Sequence, residues 1–346
     1  MGDSGEPAAT AQVQEDASTR GHVGDKYEVP TFEPHNSFDT LKQRIRHHYE
    51  LASDYYYSLW YALLLIREIF DPPGQHIHHG YFLDPNETKE VAQVNLINLL
   101  LEISSISPKS AVLDVGCGIG GTTRHLAREL GCTVTGITIS GRQVQIAKRL
   151  TNEEAAKFSP SKLQGSEGFV PLGSKGGAVK YVEIDAETMA GHFSPQSFDV
   201  VWISEALSHF PNKPLFFQNA FRVLKPRGKL VIADWFRSTT LTPEQAENDI
   251  KPIEDGMLLP PLSSMPDYVS LAESAGLKVF HEPRDISAQV AKTWDISWQL
   301  VSSPSLWAFA ISQGRDGLAF LQSFRAMRRG YSDGSFRYGV MAFVKP

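Results

Sequence analysis

Cysteine, long apolar runs and an excess of basic residues are all missing from this chain of 346 residues. Only two cysteines occur, Cys117 and Cys132, which is too few for a disulfide framework, and their spacing does not match a zinc site. The longest apolar run, Leu59–Ile66, is far shorter than the roughly 20 residues that cross a bilayer. The formal net charge of -6 disfavours a nucleic-acid binder, which normally carries a basic stripe. Because no signal-peptide pattern is present either, we expect a cytoplasmic protein with no transmembrane segment and no nucleic-acid partner.

The composition is that of a chain with a sizeable core, because 42% of the residues are hydrophobic and 21% are charged. Residues 1–35 are the exception: they are rich in Gly, Ser, Ala, Glu and Pro and predict a disordered leader. Residues 36–105 have helical spacing and many aromatic and histidine residues, which indicates an N-terminal helical lid. Residues 243–336 are mostly helical in pattern and predict a C-terminal cap inserted before a final edge strand at 337–346.

Between the lid and the cap, residues 106–242 alternate short apolar strands with helices. This alternation predicts an α/β fold of the Rossmann-like, doubly wound kind, with a mostly parallel sheet. Residues 279–281 and 337–343 predict two antiparallel strands at one edge, which makes a seven-stranded sheet. Residues 158–175 are rich in Ser, Gly and Pro and predict a mobile surface insertion. The strands of the alternating part are predicted at 111–115, 133–137, 179–184, 198–203 and 229–233.

A glycine-rich turn, Gly116–Gly121, follows the first predicted strand and opens onto a helix. Ligands of open parallel sheets bind beyond the carboxyl ends of the strands, where glycine lets backbone N–H groups approach them. The pattern fits a dinucleotide, a nucleoside cofactor, or a tight turn without a ligand. A NAD site requires an acidic residue about 20 residues downstream, yet none occurs between Glu129 and Glu153. Asp114, just before the loop, suits a ligand with a cationic group better than a pyrophosphate, so NAD is the minor alternative.

The segment Val112–Gly121 resembles motif I of the class I S-adenosylmethionine-dependent methyltransferases. Gly136–Ser140, followed by Gln143, is similar to one branch of that class: the γ-tocopherol methyltransferases, sterol methyltransferases and cyclopropane-fatty-acid synthases. In that branch the acidic residue that usually follows the second strand is absent, and it is absent from this chain as well. The chain also resembles fungal secondary-metabolite methyltransferases of the glandicoline B O-methyltransferase type. Further segments similar to the branch are His48–Leu51, Gly74–Phe82 with an insertion around Ala62–Pro73, Phe198–Trp202, Arg222–Lys229 and Ser312–Pro346.

The resemblance implies a site for S-adenosylmethionine, with S-adenosylhomocysteine as the product. Gly116, Gly118 and Gly120 would face the methionine half, and Asp114 would hold the loop or the methionine ammonium group. The other cofactor contacts that the resemblance implies are Tyr49 as a closing residue, His78, Cys117 and Ser204, then Thr138, Ile139 and Gln143 at the ribose, and Asp185 and Ala186 at the adenine. Asp185 has an alternative role as a helix N-cap, and Tyr49 has one in packing within the lid.

Methyl transfer from a sulfonium ion is an in-line displacement, in which alignment supplies about 7–11 kcal/mol in favourable cases. A hydroxyl acceptor also needs a base, and histidine is the residue with a pKa near neutrality. His209 follows the fourth alternating strand and is therefore the candidate base. Glu205, four residues earlier, would orient His209 or receive a proton itself. The alternative for His209 is a helix-start residue that bonds only to backbone.

Two further groups of residues have both a functional and a structural interpretation. The pattern His76-x-His78-His79 resembles a metal-binding cluster, but no carboxylate or cysteine lies nearby, so we predict no metal site. The alternatives are contact with the substrate or cofactor and packing within the lid. Aromatic residues at helical spacing usually belong to a core, although they can also line a substrate pocket. The candidates for an aromatic acceptor pocket are Trp235, Trp294, Trp298 and Trp307.

These observations predict an enzyme that transfers a methyl group from S-adenosylmethionine to a small molecule. We expect the acceptor to be an oxygen, in a hydroxyl or N-hydroxyl group, of a bulky natural product such as an alkaloid. Transfer to nitrogen or carbon of an indole, phenol or sterol is the alternative, because the motifs report the cofactor and not the acceptor. A non-catalytic methyltransferase-like regulator is a third interpretation. We expect a monomer or a homodimer.

Overall fold

The computed structural model describes residues 38–62, 76–158, 168–298, 304–312 and 314–346. The predicted leader, the insertion after Ala62 and residues 159–167 of the predicted surface insertion lie outside the described residues. In the part of the chain that is described, no helix combines the length and the apolar character that crossing a membrane requires.

Across the described residues, eight strands form a single sheet. They are β1 (Ala111–Val115), β2 (Thr133–Thr138), β3 (Val170–Leu172), β4 (Gly177–Glu183), β5 (Phe198–Ser204), β6 (Leu224–Arg237), β7 (Lys278–Asp285) and β8 (Phe336–Val344). Their order is β3-β4-β2-β1-β5-β6-β8-β7. The pairings from β4 through β2, β1 and β5 to β6 are parallel, whereas β3, β8 and β7 pair antiparallel with their neighbours. The predicted Rossmann-like, mostly parallel α/β fold is therefore confirmed.

Helices cover both faces of the sheet, which explains why the central strands are apolar on both sides. In β1, Val112 belongs to one hydrophobic cluster and its neighbour Leu113 to the cluster on the opposite face. The helices are α1 (Phe38–Ala62), α2 (Lys89–Ser104), α3 (Gly121–Leu130), α4 (Gly141–Phe158), α5 (Lys213–Val223), α6 (Pro243–Gln245), α7 (Lys251–Gly256), α8 (Met265–Ser274), α9 (Ser287–Val290), α10 (Lys292–Trp298), α11 (Pro304–Ser312) and α12 (Arg315–Asp333). A π-helical turn, Ala246–Ile250, joins α6 to α7, and 3₁₀ turns occur at Ala186–Gly191 and Leu207–His209.

Two strands differ from the sequence prediction. Val170–Leu172, expected within a mobile insertion, forms β3 and pairs with β4 at the sheet edge. Three residues are too few to give an alternating pattern, so the sequence carries no signal for β3. The C-terminal strand, expected at the edge, is β8 and lies between β6 and β7. Its nearly continuous burial is typical of an internal strand. The apolar run in this segment of the sequence could have indicated that the strand is internal.

The strand order leaves a crevice at the carboxyl ends of β1 and β5. The chain builds β2 and β4 on one side of β1 and then crosses to build β5 and β6 on the other side. Strand order reverses at this point, which is where open α/β sheets bind their ligands. Helix α1 lies over the same end, because the Glu50 carboxylate accepts hydrogen bonds from Ser140 Oγ (2.9 Å) and the Arg142 backbone N–H (3.2 Å).

Gly256 allows α7 to pack directly against α12. A Cβ atom at this position would overlap the carbonyl oxygen of Ala319 and would lie 2.7 Å from Cβ of Ser323. Because the carbonyl belongs to the backbone of a packed helix, a methyl group here must push the two helices apart.

We predict that Gly256→Ala lowers the free energy of unfolding by about 1–3 kcal/mol, as overpacking does in other cores. Urea unfolding followed by circular dichroism measures the change. Gly191→Ala is the matched control, because no atom lies within 4 Å of the Cβ position at Gly191. Equal effects of the two substitutions would show that close packing at Gly256 is not needed.

Candidate active site

A cavity of about 300 Å³ occupies the crevice. The loop after β1 forms one wall, α1 and residues 76–79 form a second, and α7 with α10–α12 forms a third. All the predicted site residues except Gly120 line it, although their roles as cofactor contacts stay predictions. These lining residues are Tyr49, His78, Asp114, Gly116, Cys117, Gly118, Thr138, Ile139, Gln143, Asp185, Ala186, Ser204, Glu205 and His209.

The glycines of the loop after β1 serve different purposes. Gly118 has a φ of +53°, and no atom lies within 4 Å of its Cβ position, so open space borders this glycine at the cavity. Gly120 has a φ of +79°, and a Cβ there would lie 2.5 Å from the Tyr181 hydroxyl oxygen. Gly120 does not line the cavity and packs against Tyr181, and its role as a cofactor contact stays a prediction.

Two hydrogen-bond acceptors, Asp114 and His78, line the cavity that the glycine loop also borders. Burial raises the pKa of Asp114 to about 6, while a hydrogen bond from Thr123 Oγ1 (2.5 Å) opposes this rise. Nδ1 of His78 lies 2.8 Å from the His79 carbonyl oxygen, which can only accept, so we assign the proton to Nδ1. Nε2 of His78 then carries a lone pair, and this buried atom has no hydrogen-bond partner among the described residues. The two acceptors suit a ligand with an ammonium group.

The predicted nucleoside end of the cavity is built from β2, β4 and the turn after β4. Thr138 Oγ1 donates a hydrogen bond to Gln143 Oε1 at 2.6 Å. Asp185 caps the 3₁₀ turn through a hydrogen bond from the Glu187 backbone N–H (2.9 Å), and it pairs with Lys42 Nζ at 3.0 Å. The N-cap role, considered above as an alternative for Asp185, is therefore present in the structure. Its contact with adenine stays a prediction.

His209 ends the 3₁₀ turn that follows β5, and its ring faces the cavity. Its Nε2 lies 3.4 Å from the Tyr49 hydroxyl on α1. Burial lowers the pKa of His209 to about 4; the backbone of Leu258 and the carboxylate of Glu205 oppose this effect without outweighing it. Nδ1 meets no hydrogen-bond partner of acceptable geometry among the described residues. His209 is therefore an uncharged imidazole at physiological pH. The sequence prediction of a base with a pKa near 7 is wrong.

Glu205 does not orient His209, contrary to the sequence prediction. Its Oε1 accepts hydrogen bonds from the His79 backbone N–H and the Tyr338 hydroxyl, both at 2.7 Å. Its Oε2 lies 3.0 Å from His79 Nδ1, and His79 Nε2 accepts a hydrogen bond from Trp294 Nε1 at 2.6 Å. The histidine that pairs with Glu205 is thus 126 residues away in the chain, and no local spacing indicated it.

The part of the cavity wall formed by β6 and α10–α12 is aromatic. Trp235 and Trp294 line the cavity as predicted, but Trp298 and Trp307 do not. Trp298 lies beneath the guanidinium of Arg328, and Trp307 is 43% exposed. Sequence reasoning missed several lining residues of α10–α12, although a spacing of one helical turn in part of this group was a weak signal: Thr293, Ser297, Leu306, Phe320 and Phe324.

Metal binding has no geometric support in the described ranges of the chain, where no group of three His, Cys, Asp or Glu side chains is arranged to hold an ion. The rings of His76 and His78 have centroids 5.1 Å apart, and burial lowers the pKa of both histidines. They are neutral lining residues of the cavity.

Known proteins share both sequence and fold with this chain. A family model described as a methyltransferase domain matches residues 113–232, and one described as mycolic acid cyclopropane synthetase matches residues 37–169. The 2-methyl-6-phytyl-1,4-hydroquinone methyltransferase of Synechocystis sp. is 32% identical over 289 residues, which cover 79% of this chain and 81% of that protein. The chloroplastic tocopherol O-methyltransferase of Arabidopsis thaliana is 26% identical over 90% of this chain and 84% of its own length. The structure of a cyclopropane synthase from Mycobacterium tuberculosis superposes with a TM-score of 0.67 at 18% identity, covering 91% of this chain and 99% of that one.

We predict that His78→Phe weakens S-adenosylmethionine binding by about 10- to 100-fold, because a hydrogen bond to a charged group contributes about 1.5–3 kcal/mol. Isothermal titration calorimetry measures the dissociation constant. His281→Phe is the matched control: its Nδ1 also lies 2.8 Å from the next carbonyl oxygen, but this half-buried residue of β7 does not line the cavity. An unchanged affinity in His78→Phe would exclude this contact.

Proposed function

The chain belongs to the S-adenosylmethionine-dependent methyltransferases, and we propose that it methylates a hydroxyl oxygen of a bulky, largely apolar natural product. One observation carries the proposal: a buried and neutral His209 faces an aromatic-walled cavity that also contains the glycine loop. The cavity supports a small-molecule acceptor, because its volume of about 300 Å³ is at the lower end of ordinary ligand pockets. An alkaloid acceptor and the fungal secondary-metabolite type stay predictions.

The residues beside the glycine loop fit the methyl donor. S-adenosylmethionine, when bound, supplies an electrophilic methyl group whose sulfur departs as a neutral thioether. Asp114 and Nε2 of His78, which has no partner in the described part of the chain, are acceptors for its ammonium group, and the open space at Gly118 admits the methionine half. Tyr49 and the segment that contains His78 cover the cavity and exclude water, which strengthens the electrostatic contacts within it.

His209 acts on the acceptor as the proton-accepting group. A hydroxyl whose oxygen is forming a bond to the transferred methyl group becomes strongly acidic, so a base with a pKa of about 4 is sufficient to take its proton. The oxygen gains the methyl group, sulfur keeps the electron pair of the broken bond, and the proton passes to His209. The positive charge of the sulfonium ion is therefore replaced by that of protonated His209, and the net charge in the cavity does not change.

The aromatic wall supports a flat, apolar acceptor. Trp235, Trp294 and the two phenylalanines Phe320 and Phe324 offer ring faces and edges, which bind aromatic ligands by offset or edge-to-face packing. Burial of an apolar ring here contributes about 25 cal/mol for each Å² removed from water. The acceptor class that fits both this wall and His209 is a hydroxylated aromatic compound.

Transfer to a ring carbon of a phenol or hydroquinone is a second candidate. The Synechocystis relative is named as a hydroquinone methyltransferase, and this name favours such an acceptor. Loss of the phenolic proton to His209 would activate the ring carbon as well as the oxygen. An assay with ¹³C-methyl-labelled S-adenosylmethionine and a panel of phenols, hydroquinones and hydroxylated indole alkaloids separates the candidates, because NMR distinguishes an O-methyl from a C-methyl carbon.

We predict that His209→Ala lowers kcat by about 100-fold or more, since general base catalysis typically contributes 10²–10⁴-fold. Binding of S-adenosylmethionine, measured by calorimetry, remains within about twofold because the base contacts the acceptor. His192→Ala, at an exposed histidine, is the control that retains full activity. Wild-type kcat in His209→Ala would rule out the proposed base.

The pH dependence of kcat gives an independent check on His209. Burial lowers its pKa to about 4, so the active neutral form persists as the pH falls through 6.5, the value of an ordinary histidine. We predict a flat kcat profile from about pH 6 to 9 and a loss of activity only below about pH 5. Stopped assays in constant-ionic-strength buffers test this. A loss of kcat with its midpoint near pH 6.5 would show that the working base is a solvent-exposed histidine.

A further inference from the structure

Two buried charged residues, Asp234 and Lys213, lie behind His209 and have no role in the reaction as described so far. Asp234 is in β6 and is completely buried, and Lys213, at the start of α5, is only 6% exposed. A buried charge is costly unless it is paired and hydrogen-bonded, so the arrangement of these two groups requires a reason.

The Asp234 carboxylate binds the backbone on the amino side of His209. Its Oδ2 accepts a hydrogen bond from the Ser208 backbone N–H at 2.7 Å and a second from the Tyr268 hydroxyl at 3.1 Å. Its Oδ1 accepts from the Trp235 backbone N–H at 2.9 Å. One carboxylate thus connects the turn that presents His209 to the strand that presents Trp235 to the cavity.

The Lys213 ammonium binds the backbone on both sides of His209. Nζ donates hydrogen bonds to the Ser208 carbonyl oxygen at 3.3 Å and to the Phe210 carbonyl oxygen at 3.0 Å. Within the turn itself, the His209 N–H donates to the Ala206 carbonyl oxygen at 3.1 Å. The backbone from residue 208 to 210 is therefore held by two charged side chains in addition to its own hydrogen bond.

We propose that Asp234 and Lys213 are positioning residues that aim the His209 imidazole at the acceptor by fixing its backbone. In a Ser-His-Asp triad, a carboxylate bound to the ring orients the histidine. Here the nearby carboxylate of Glu205 is bound to His79, and the polar side-chain contact of the His209 ring among the described residues is the long one to Tyr49, while Trp235 packs against the ring with centroids 6.1 Å apart. Because no carboxylate in the described ranges binds the ring, a fixed main chain is the firmest support for its orientation. This inference rests on the proposed role of His209.

Lys213 also acts on His209 through its charge. The titratable groups that face the His209 ring are His48 and Tyr49 on α1, Glu205 after β5 and Lys213 on α5. Burial is the main cause of the low pKa of His209, and the positive charge of Lys213 lowers it further. Burial also lowers the pKa of Lys213 to about 8, so Lys213 is mostly charged at pH 7. Removing this charge must raise the pKa of His209.

The test compares Lys213→Met with Lys213→Arg and Asp234→Asn. We expect Lys213→Met and Asp234→Asn to lower kcat at least tenfold, with the acceptor KM and the S-adenosylmethionine dissociation constant unchanged within twofold. Lys213→Arg should recover most of the activity, because it keeps the charge and the donors. Lys225→Met, which removes a half-buried lysine paired with Asp199 away from the cavity, is the matched control and should behave as wild type.

The His209 pKa, followed by ¹H–¹⁵N NMR of the imidazole nitrogens, supplies a readout that does not depend on turnover. It should rise in Lys213→Met and remain low in Lys213→Arg; an unchanged value in Lys213→Met would overturn the role of Lys213. If Asp234→Asn does not fold, the two Lys213 variants still decide the proposal. Wild-type kcat in Lys213→Met, or a parallel loss of cofactor binding, would also overturn it. A failure of the proposed function is distinguishable from a failure of this inference, because only the former leaves the His209→Ala variant with full activity.

Discussion

The Glu205 carboxylate holds the segment around His79 against the sheet, and the cavity depends on this contact. Burial by itself raises the pKa of Glu205, but the electrostatic interaction and hydrogen bonds with His79 outweigh it and hold the pKa below its ordinary value. An ionised carboxylate can accept the hydrogen bonds from the His79 backbone N–H, from His79 Nδ1 and from Tyr338 on β8. His79 in turn accepts a hydrogen bond from Trp294 on α10. One carboxylate therefore connects the segment around His79, the sheet and α10 around the same cavity.

The backbone at Glu205 explains why two loops meet at this point. Glu205 has a φ of +55°, a conformation that costs a residue with a side chain about 1–3 kcal/mol. Its N–H nevertheless bonds to the Ala233 carbonyl oxygen at 2.8 Å, so the chain turns sharply where β5 ends. The turn brings Ala206 against Gly116, where a Cβ atom on the glycine would overlap Ala206. Glycine at the start of the loop after β1 is thus required by the turn after β5.

The layout of the site was predictable wherever it follows from chain order. Strands that alternate with helices predict parallel pairing, and parallel pairing brings the ends of β1, β2, β4 and β5 together, so the residues that follow these strands had to meet. Side-chain partners across the cavity were not predictable. Glu205 follows β5 like His209, but it bonds to His79 because of how the lid lies, and no spacing in the sequence encodes that position. Gly120 fits the glycine pattern, yet its neighbour Tyr181 belongs to a different strand.

Burial keeps several side chains of the cavity wall neutral, so that the charged groups among them, such as Glu205, determine the electrostatics of the site. Burial lowers the pKa of His48 and His209 to about 4 and raises that of Tyr49 to about 12, so these three groups carry no charge near pH 7. A sulfonium ion entering such walls is attracted to carboxylates such as Glu205 more strongly than it would be in water, because the effective dielectric constant is lower. In the proposed reaction the same positive charge ends as a proton on His209, whose pKa the Glu205 carboxylate raises. The carboxylate that holds the lid in place therefore also favours the cavity's positive charge before and after the methyl group moves.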